Sequence, residues 1–234
     1  MMPASLLLFF FALVQACTGP HPPRMPEKNT PYRLLSLGDS YTIGEQVPEA
    51  DRFPVQAAAL LQKKQLDFAP PVIVATTGWT TDELQAGIRQ AKGQGPFSFV
   101  TLLIGVNNQY RGRDTAEYRL QFRELLQTAI HFAQNLPRHV FVLSIPDWGV
   151  TPFAAKEEAG RTREVIAAQI DEFNGINAAE AAAAGAHYIE ITQASRLALQ
   201  DSSLLAPDGL HPSGKMYAEW ARLLADGIAA ELKG

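Results

Sequence analysis

The sequence predicts an α/β domain in which a mostly parallel sheet is covered by helices on both faces. Two observations carry this. From about residue 32 onward, apolar runs of four to six residues alternate with helical stretches. Those runs are continuously apolar instead of alternating, as expected of strands buried on both faces. A third observation locates the chemistry: polar, turn-forming loops follow the strands and should gather on one rim, where open α/β sheets bind ligands.

The first strand is the apolar run from Leu34 through Leu35, Ser36 and Leu37, which stops at Gly38-Asp39-Ser40, where a helix or turn can begin. Ser40 therefore sits at the carboxyl end of a strand. Residues 53–64 carry Val55, Ala58, Ala59 and Leu60 at helical spacing, and Pro70-Pro71 closes that segment. Strand two is the β-branched run 72–75, bounded by Thr76-Thr77-Gly78. Thr80 with Glu83 three residues later forms a capping box, opening a helix through Leu84, Ile88 and Ala91 that the Gly93 and Gly95 stretch ends. Strand three spans 99–104 and leads into a polar loop at 105–110. Asp114 then caps a helix through Tyr118, Phe122, Leu125, Leu126 and Ala129. Strand four spans 140–145, and 146–153 is a longer loop rich in turn residues and aromatics. Residues 161–184 read as a long alanine-rich helix with Ile166, Ile170 and Phe173 on one face. Strand five is 187–191. The closing helix, 213–232, places Met216, Trp220, Leu223, Leu224 and Ile228 on one stripe, a core-packing pattern.

The chain has 234 residues, 47% of them hydrophobic and 19% charged, enough for one sizeable core. Its formal net charge of −4, without a basic cluster, gives no footprint for nucleic acid. A single cysteine, Cys17, excludes an internal disulfide and a cysteine-based metal site. No cluster of histidine and carboxylate has ligand-like spacing, so no metal and no organic cofactor is expected.

Residues 6–14 are a continuous apolar run, too short to span a bilayer as a helix and of the right length for the core of a signal peptide. The run ends at Val14-Gln15-Ala16-Cys17, which resembles the lipobox of bacterial lipoproteins. That resemblance implies removal of residues 1–16 and a lipid on Cys17 that anchors the exported chain to a membrane. The other reading is an ordinary secretory signal, giving a soluble secreted or periplasmic protein. Residues 17–31, with prolines at 20, 22, 23, 26 and 31, read as a tether, and 32–234 as the folded domain.

Four loop signals fall on the rim in chain order: Gly38-Asp39-Ser40, Gly78, Gly105-Val106-Asn107, and Asp208-Gly209-Leu210-His211-Pro212. Serine becomes an effective nucleophile when a base takes its proton, and histidine is that base when a carboxylate fixes its tautomer. Asp208 and His211 lie three residues apart around Gly209, which lets the carboxylate approach one imidazole nitrogen. Attack on an acyl carbon creates an oxyanion that needs preorganised donors. The backbone N–H groups of Ser40 and Gly78 and the side-chain amide of Asn107 are the candidates, and glycine at 78 and 105 permits close backbone approach. Trp79, Tyr110, Trp148 and Phe153 lie in rim loops and are candidates to line a substrate pocket. Asp39, beside the serine, reads as structural. His131, His139 and His187 fall in or beside regular elements and read as surface or packing residues.

These four segments resemble the sequence blocks of the SGNH (GDSL) hydrolase superfamily, over residues 32–234. The resemblance implies a three-layer, flavodoxin-like α/β/α sandwich with five parallel strands in order 2-1-3-4-5. It further implies Ser40 as nucleophile, His211 as base and then acid, Asp208 as its orienter, and Ser40, Gly78 and Asn107 as the oxyanion hole. Where the family carries Gly-x-Asn-Asp, this chain has Asn108 in the last place, a change that bears on loop support or substrate contact.

The function implied is hydrolysis of a carboxylic ester through an acyl-serine intermediate. A small or single-chain acyl ester is the expected substrate, with lysophospholipid among the candidates. Acyl thioesters and acetylated carbohydrates use the same chemistry. The rivals from other classes are a non-catalytic ligand-binding lipoprotein, which has no need of Ser40, Asp208 and His211 together, and a flavodoxin-like nucleotide binder, which the Tyr41 and Ile43 side chains suit poorly.

Overall fold

The Leu-rich run after Tyr32 forms the central strand β1 (Leu34–Gly38), all five residues of which are buried. The computed structural model describes residues 30–91, 95–156 and 160–233; the expected signal peptide, Cys17 and the tether as far as residue 29 lie outside them. β1 pairs in parallel with β2 (Val72–Ala75) on one side and β3 (Phe99–Leu103) on the other. β4 (Val140–Leu143) and β5 (His187–Ile189) complete a parallel sheet of order β2-β1-β3-β4-β5. The three inner strands β1, β3 and β4 are buried throughout, whereas the edges β2 and β5 are only partly covered. Full burial on both faces thus belongs to the inner strands, and β2, although its sequence is apolar throughout, is less covered because it lies at an edge. Leu34, Leu35 and Leu37 are wholly buried, each worth about 1.5–3 kcal/mol of transfer free energy.

After α1 (Ser40–Ile43), the helix α2 (Phe53–Lys63) packs against the last helix, α8 (Gly214–Glu231). Phe53, Tyr217 and Trp220 form the aromatic contact between them, with Trp220 wholly buried as the apolar stripe predicts. A second layer holds α3 (Thr81–Gln90), α5 (Thr115–Phe132) and α6 (Arg163–Ala184), packed on β2, β3 and β4 respectively. The Thr80–Glu83 capping box, the Asp114 cap and the Ser213 cap all form. α6 begins two residues later than the composition suggests, because Thr162 caps it by accepting the Val165 N–H.

Strands three to five end one or two residues before their apolar runs do. For β4 and β5 the reason is polar side chains that replace the ladder. Asn174 Oδ1 accepts the Ile145 N–H at 2.7 Å, and Ser144 Oγ accepts the Ile191 N–H at 2.7 Å. Two short helices were not legible in the pattern: α4 (Val106–Tyr110), where a polar loop is expected, and α7 (Thr192–Arg196). Each is five residues, too short to show a helical period, and is held by tertiary contacts instead of propensity.

His139 and His187 stack on Phe99 and Phe141, both with ring centroids 4.6 Å apart, as packing residues. Among the described residues no helix is long and apolar enough to cross a membrane, and no group of three or more His, Cys, Asp or Glu is placed to hold a metal ion.

Candidate active site

The carboxyl ends of β1, β2 and β3 deliver three of the expected site residues to one rim. Past β1 the chain turns directly into α1, whose first residue is Ser40. Asp39 caps it by accepting the Tyr41 N–H at 3.0 Å, and is buried beneath the turn. Burial pushes its carboxyl up to about 7, with hydrogen bonds from Tyr41 N–H and its own N–H pulling the other way. Asp39 is therefore a structural cap, as its position next to the nucleophile candidate suggests. The N–H of Ser40, at the first helical position, has no acceptor within the helix.

Gly78 lies in the turn between β2 and α3 with φ +85, a conformation that favours glycine. Its N–H has no protein acceptor among the described residues. Asn107 follows β3 in α4. Gly105 makes that turn possible: a Cβ there would lie 2.4 Å from the Tyr118 hydroxyl. Asn107 Nδ2 donates one hydrogen to the Trp79 carbonyl at 2.9 Å, which leaves its second hydrogen for another acceptor. Asn108 turns the other way and is buried, its Oδ1 accepting the Thr81 N–H at 3.1 Å and its Nδ2 donating to Thr81 Oγ1 at 2.8 Å. Loop support is thus the role the structure gives to this departure from Gly-x-Asn-Asp.

The fourth segment is not carried by the sheet. It is a turn tied off by a bridge between Leu205 and Pro212 and by the Ala206 N–H donating to the His211 carbonyl at 2.7 Å. Within it, one oxygen of Asp208 accepts the N–H groups of Leu210 and His211, both at 3.0 Å. The other oxygen lies 2.6 Å from His211 Nδ1. Burial raises the Asp208 carboxyl, but the bonds from the His211 ring and the two N–H groups outweigh it, and its pKa falls below the ordinary carboxylate value. An ionised Asp208 can only accept, so the Nδ1 proton belongs to His211 and Nε2 is left as the basic nitrogen. The Tyr41 ring, with its centroid 5.6 Å from that of His211, packs beside the imidazole.

Ser40, Gly78, Asn107 and His211 all line one cleft of about 200 Å³. Tyr110, Trp148 and Phe153 form one wall, with ring centroids 5.3–6.4 Å apart. Trp148 is buried and its Nε1 donates to Gln109 Oε1 at 2.8 Å. The loop that carries it is tied down by Asp147, which accepts the Gly149 N–H and pairs with Arg196 of α7 at 2.8 Å. Trp79 is the exception among the expected wall residues. Its ring lies over Gly87 of α3, filling the space a Cβ there would take, and it does not border the cleft. Tyr41, Thr77, Val106 and Leu210 complete the lining. They adjoin the motif residues and carry no chemical signature, so only adjacency could have found them.

The arrangement brings Ser40, Gly78, Asn107 and the Asp208-paired His211 to a single small, largely apolar cleft. A model of the GDSL-like lipase/acylhydrolase family matches residues 36–219. No curated protein matches the chain. Among solved structures, the lipase/acylhydrolase from Enterococcus faecalis is 20% identical, with 86% of this chain and 96% of that chain covered and a TM-score of 0.64. Axe2, an acetylxylan esterase from Geobacillus stearothermophilus, is 18% identical over 84% of this chain and 94% of that chain, with a TM-score of 0.64. The psychrotrophic esterase EstA from Pseudoalteromonas sp., in a structure inhibited by monoethylphosphonate, is 16% identical over 86% and 99%, with a TM-score of 0.62. At these identities the likeness is one of fold.

Proposed function

Since the chain belongs to the GDSL-like lipase/acylhydrolase family, we propose that it hydrolyses a carboxylic ester of a small or single-chain acyl group through an acyl-Ser40 intermediate. The observation that carries this reading is the 2.6 Å pairing of His211 Nδ1 with Asp208, on a cleft that also holds Ser40. His211 Nε2 takes the Ser40 hydroxyl proton as Oγ attacks the acyl carbon. The carbonyl oxygen becomes an oxyanion facing the N–H groups of Ser40 and Gly78 and the second amide hydrogen of Asn107. Collapse of this tetrahedral species breaks the bond to the leaving alcohol, which receives the proton from Nε2. Water then repeats the sequence on the acyl-serine, with His211 as base, and releases the carboxylic acid and free Ser40. Asp208, ionised throughout, holds the ring and stabilises the imidazolium.

Substrate size follows from the cleft. Its volume of about 200 Å³ is below the roughly 300–1,000 Å³ typical of pockets for drug-sized ligands. The aromatic wall of Tyr110, Trp148 and Phe153 suits an apolar acyl group. We further propose that the chain is exported and held at a membrane by a lipid on Cys17; a Cys17→Ser variant that still fractionates with membranes would overturn this.

The test is hydrolysis of a p-nitrophenyl ester series from acetyl to palmitoyl, with Ser40→Ala beside the parent. The expected result is an optimum at short or medium chains and a loss in Ser40→Ala of about 10⁴-fold or more in kcat. Equal turnover by parent and variant would refute the nucleophile. Turnover confined to thioesters or acetylated sugars would keep the mechanism and change the substrate class.

A further inference from the structure

The turn that holds Gly78 is gripped from behind by α4. Arg111, the residue that closes α4, lies four residues past Asn107 and donates its N–H to the Asn107 carbonyl at 3.0 Å, so the two stand one above the other. Arg111 Nη2 donates to the Gly78 carbonyl at 2.6 Å, and Asn107 Nδ2 to the adjacent Trp79 carbonyl at 2.9 Å. Arg111 is fixed in turn by Glu83: its Nη1 lies 3.2 Å from Glu83 Oε1, while Glu83 Oε2 accepts the Thr80 N–H at 2.9 Å in the capping box of α3. Asn108 binds Thr81 at the next position. Side chains from α3, from α4 and from Arg111 at its end thereby hold every residue from 78 to 81.

This clamp matters most at Gly78, where side-chain packing leaves room and the turn is otherwise closed by the Trp79 N–H donating to the Thr76 carbonyl at 3.2 Å. A Cβ built on Gly78 would meet nothing closer than Arg111 Nη2, at 3.7 Å. Glycine has wide backbone freedom, so the direction of its N–H depends on what holds its peptide groups. The bond from the guanidinium to the Gly78 carbonyl is charge-assisted, among the stronger kinds of hydrogen bond. Arg111 itself does not border the cleft.

We propose that Arg111 is a positioning residue for the oxyanion hole: by holding the Gly78 carbonyl, with Glu83 as its anchor, it keeps the Gly78 N–H aimed into the cleft. This rests on the reading of Gly78 as an oxyanion donor. Removing a donor outright costs about 10²–10³ in kcat, so loosening one should cost less, about 10–100-fold.

The experiment uses the full chain as parent, Ser40→Ala, Arg111→Met, Arg111→Lys and Glu83→Gln. Each is assayed for ester turnover, for binding of an alkyl boronic acid, which forms a tetrahedral adduct with an active-site serine, and for Tm. Arg111→Met is expected to lower kcat and boronic acid affinity by the same factor, about 10–100, with KM changed by less than about threefold and Tm close to the parent. Arg111→Lys should restore part of both losses. Glu83→Gln, which keeps the cap but removes the ion pair, should fall between, and these two decide the matter if Arg111→Met does not fold. An active parent and inactive Ser40→Ala, with Arg111 variants that match the parent, would overturn this proposal alone. So would variants that lose kcat but keep boronic acid affinity, or whose losses follow Tm. A parent that neither turns over esters nor binds the boronic acid would overturn the proposed function and this inference with it.

Discussion

The two sides of the cleft are built by different physics. Ser40 and Asn107 follow β1 and β3, strands buried throughout, so the core sets where they stand, and Gly78, after the partly covered β2, joins them through the polar bonds from Asn107 and Arg111. Asp208 and His211 stand on a turn outside the sheet, and short-range polar bonds define their geometry. The carboxylates of the two sides express the difference. Asp39, buried under the nucleophile turn, is pushed up to about 7 because burial dominates. Asp208, on an exposed turn, lies below its ordinary value because three hydrogen bonds outweigh its partial burial. A sheet end can bury a carboxyl group and use it as a cap, whereas a turn that must keep one ionised has to surround it with donors.

The sharpest way to break this contrast is at Asp208. Asp208→Asn keeps an oxygen to accept the Leu210 and His211 N–H groups, so the turn should survive. It removes the charge and the acceptor that fixes the Nδ1 proton. A fall in kcat of about 10³–10⁴ is expected, with Tm near the parent at neutral pH. If Tm collapses instead, the Asp208 charge holds the turn together and the division drawn above fails. Asp208 also predicts a stability limb in acid. With its folded pKa depressed, its contribution is complete above the unfolded value near 3.8 and is lost as pH falls through the folded value.

How much of this was legible follows the same division. The parallel sheet and the strand ends that carry Ser40, Gly78 and Asn107 were readable because apolar runs and capping signals report burial directly, while the strand order was implied only by the family resemblance of the four loop segments. The Asp-x-x-His pairing was readable because its partners are local. The clamp on Gly78 was not: Arg111 bonds to a backbone carbonyl 33 residues away, and nothing in the sequence around Arg111 marks such a contact. Trp79 was misplaced for a related reason, since a rim position does not say which way a ring turns, and Gly87 opens a slot for it on α3. The tie from Arg196 to Asp147 depends on α7, a helix too short to show a period.

Asp39 offers a smaller effect of opposite sign. Its folded carboxyl, at about 7, holds a proton that the unfolded chain has released above about 4, so this group makes stability fall as pH rises across that window. Asp39→Asn keeps an oxygen for the Tyr41 N–H and removes the buried charge. It should leave Tm little changed near pH 4.5 and raise it near pH 8, by roughly 2–4 °C for each kcal/mol recovered. Thermal melts of both proteins across this range check it. Parallel pH profiles would show that the Asp39 carboxyl titrates alike in the folded and unfolded chains, and the contrast with Asp208 would then lose its basis.

The smallest effect on turnover is expected at Asn108, where the family pattern has aspartate. Asn108 uses both ends of its amide on Thr81, the first residue of α3. In Asn108→Asp the new carboxylate still accepts the Thr81 N–H but cannot donate to the hydroxyl. Thr81 must then turn its proton away from Gln121, which currently accepts it. One hydrogen bond is lost, about 0.5–1.5 kcal/mol. The amino end of α3 favours a negative charge by about 0.3–1 kcal/mol, but at this buried position the carboxylate loses its hydration, which costs more, as the raised Asp39 carboxyl illustrates. The variant should therefore melt below the parent at neutral pH and recover in acid, where the new carboxyl is protonated, while kcat changes by less than about threefold. A large fall in kcat at unchanged Tm would place Asn108 in the chemistry instead of behind it, and would move the boundary between the packed and the reactive sides of the cleft inward by one residue.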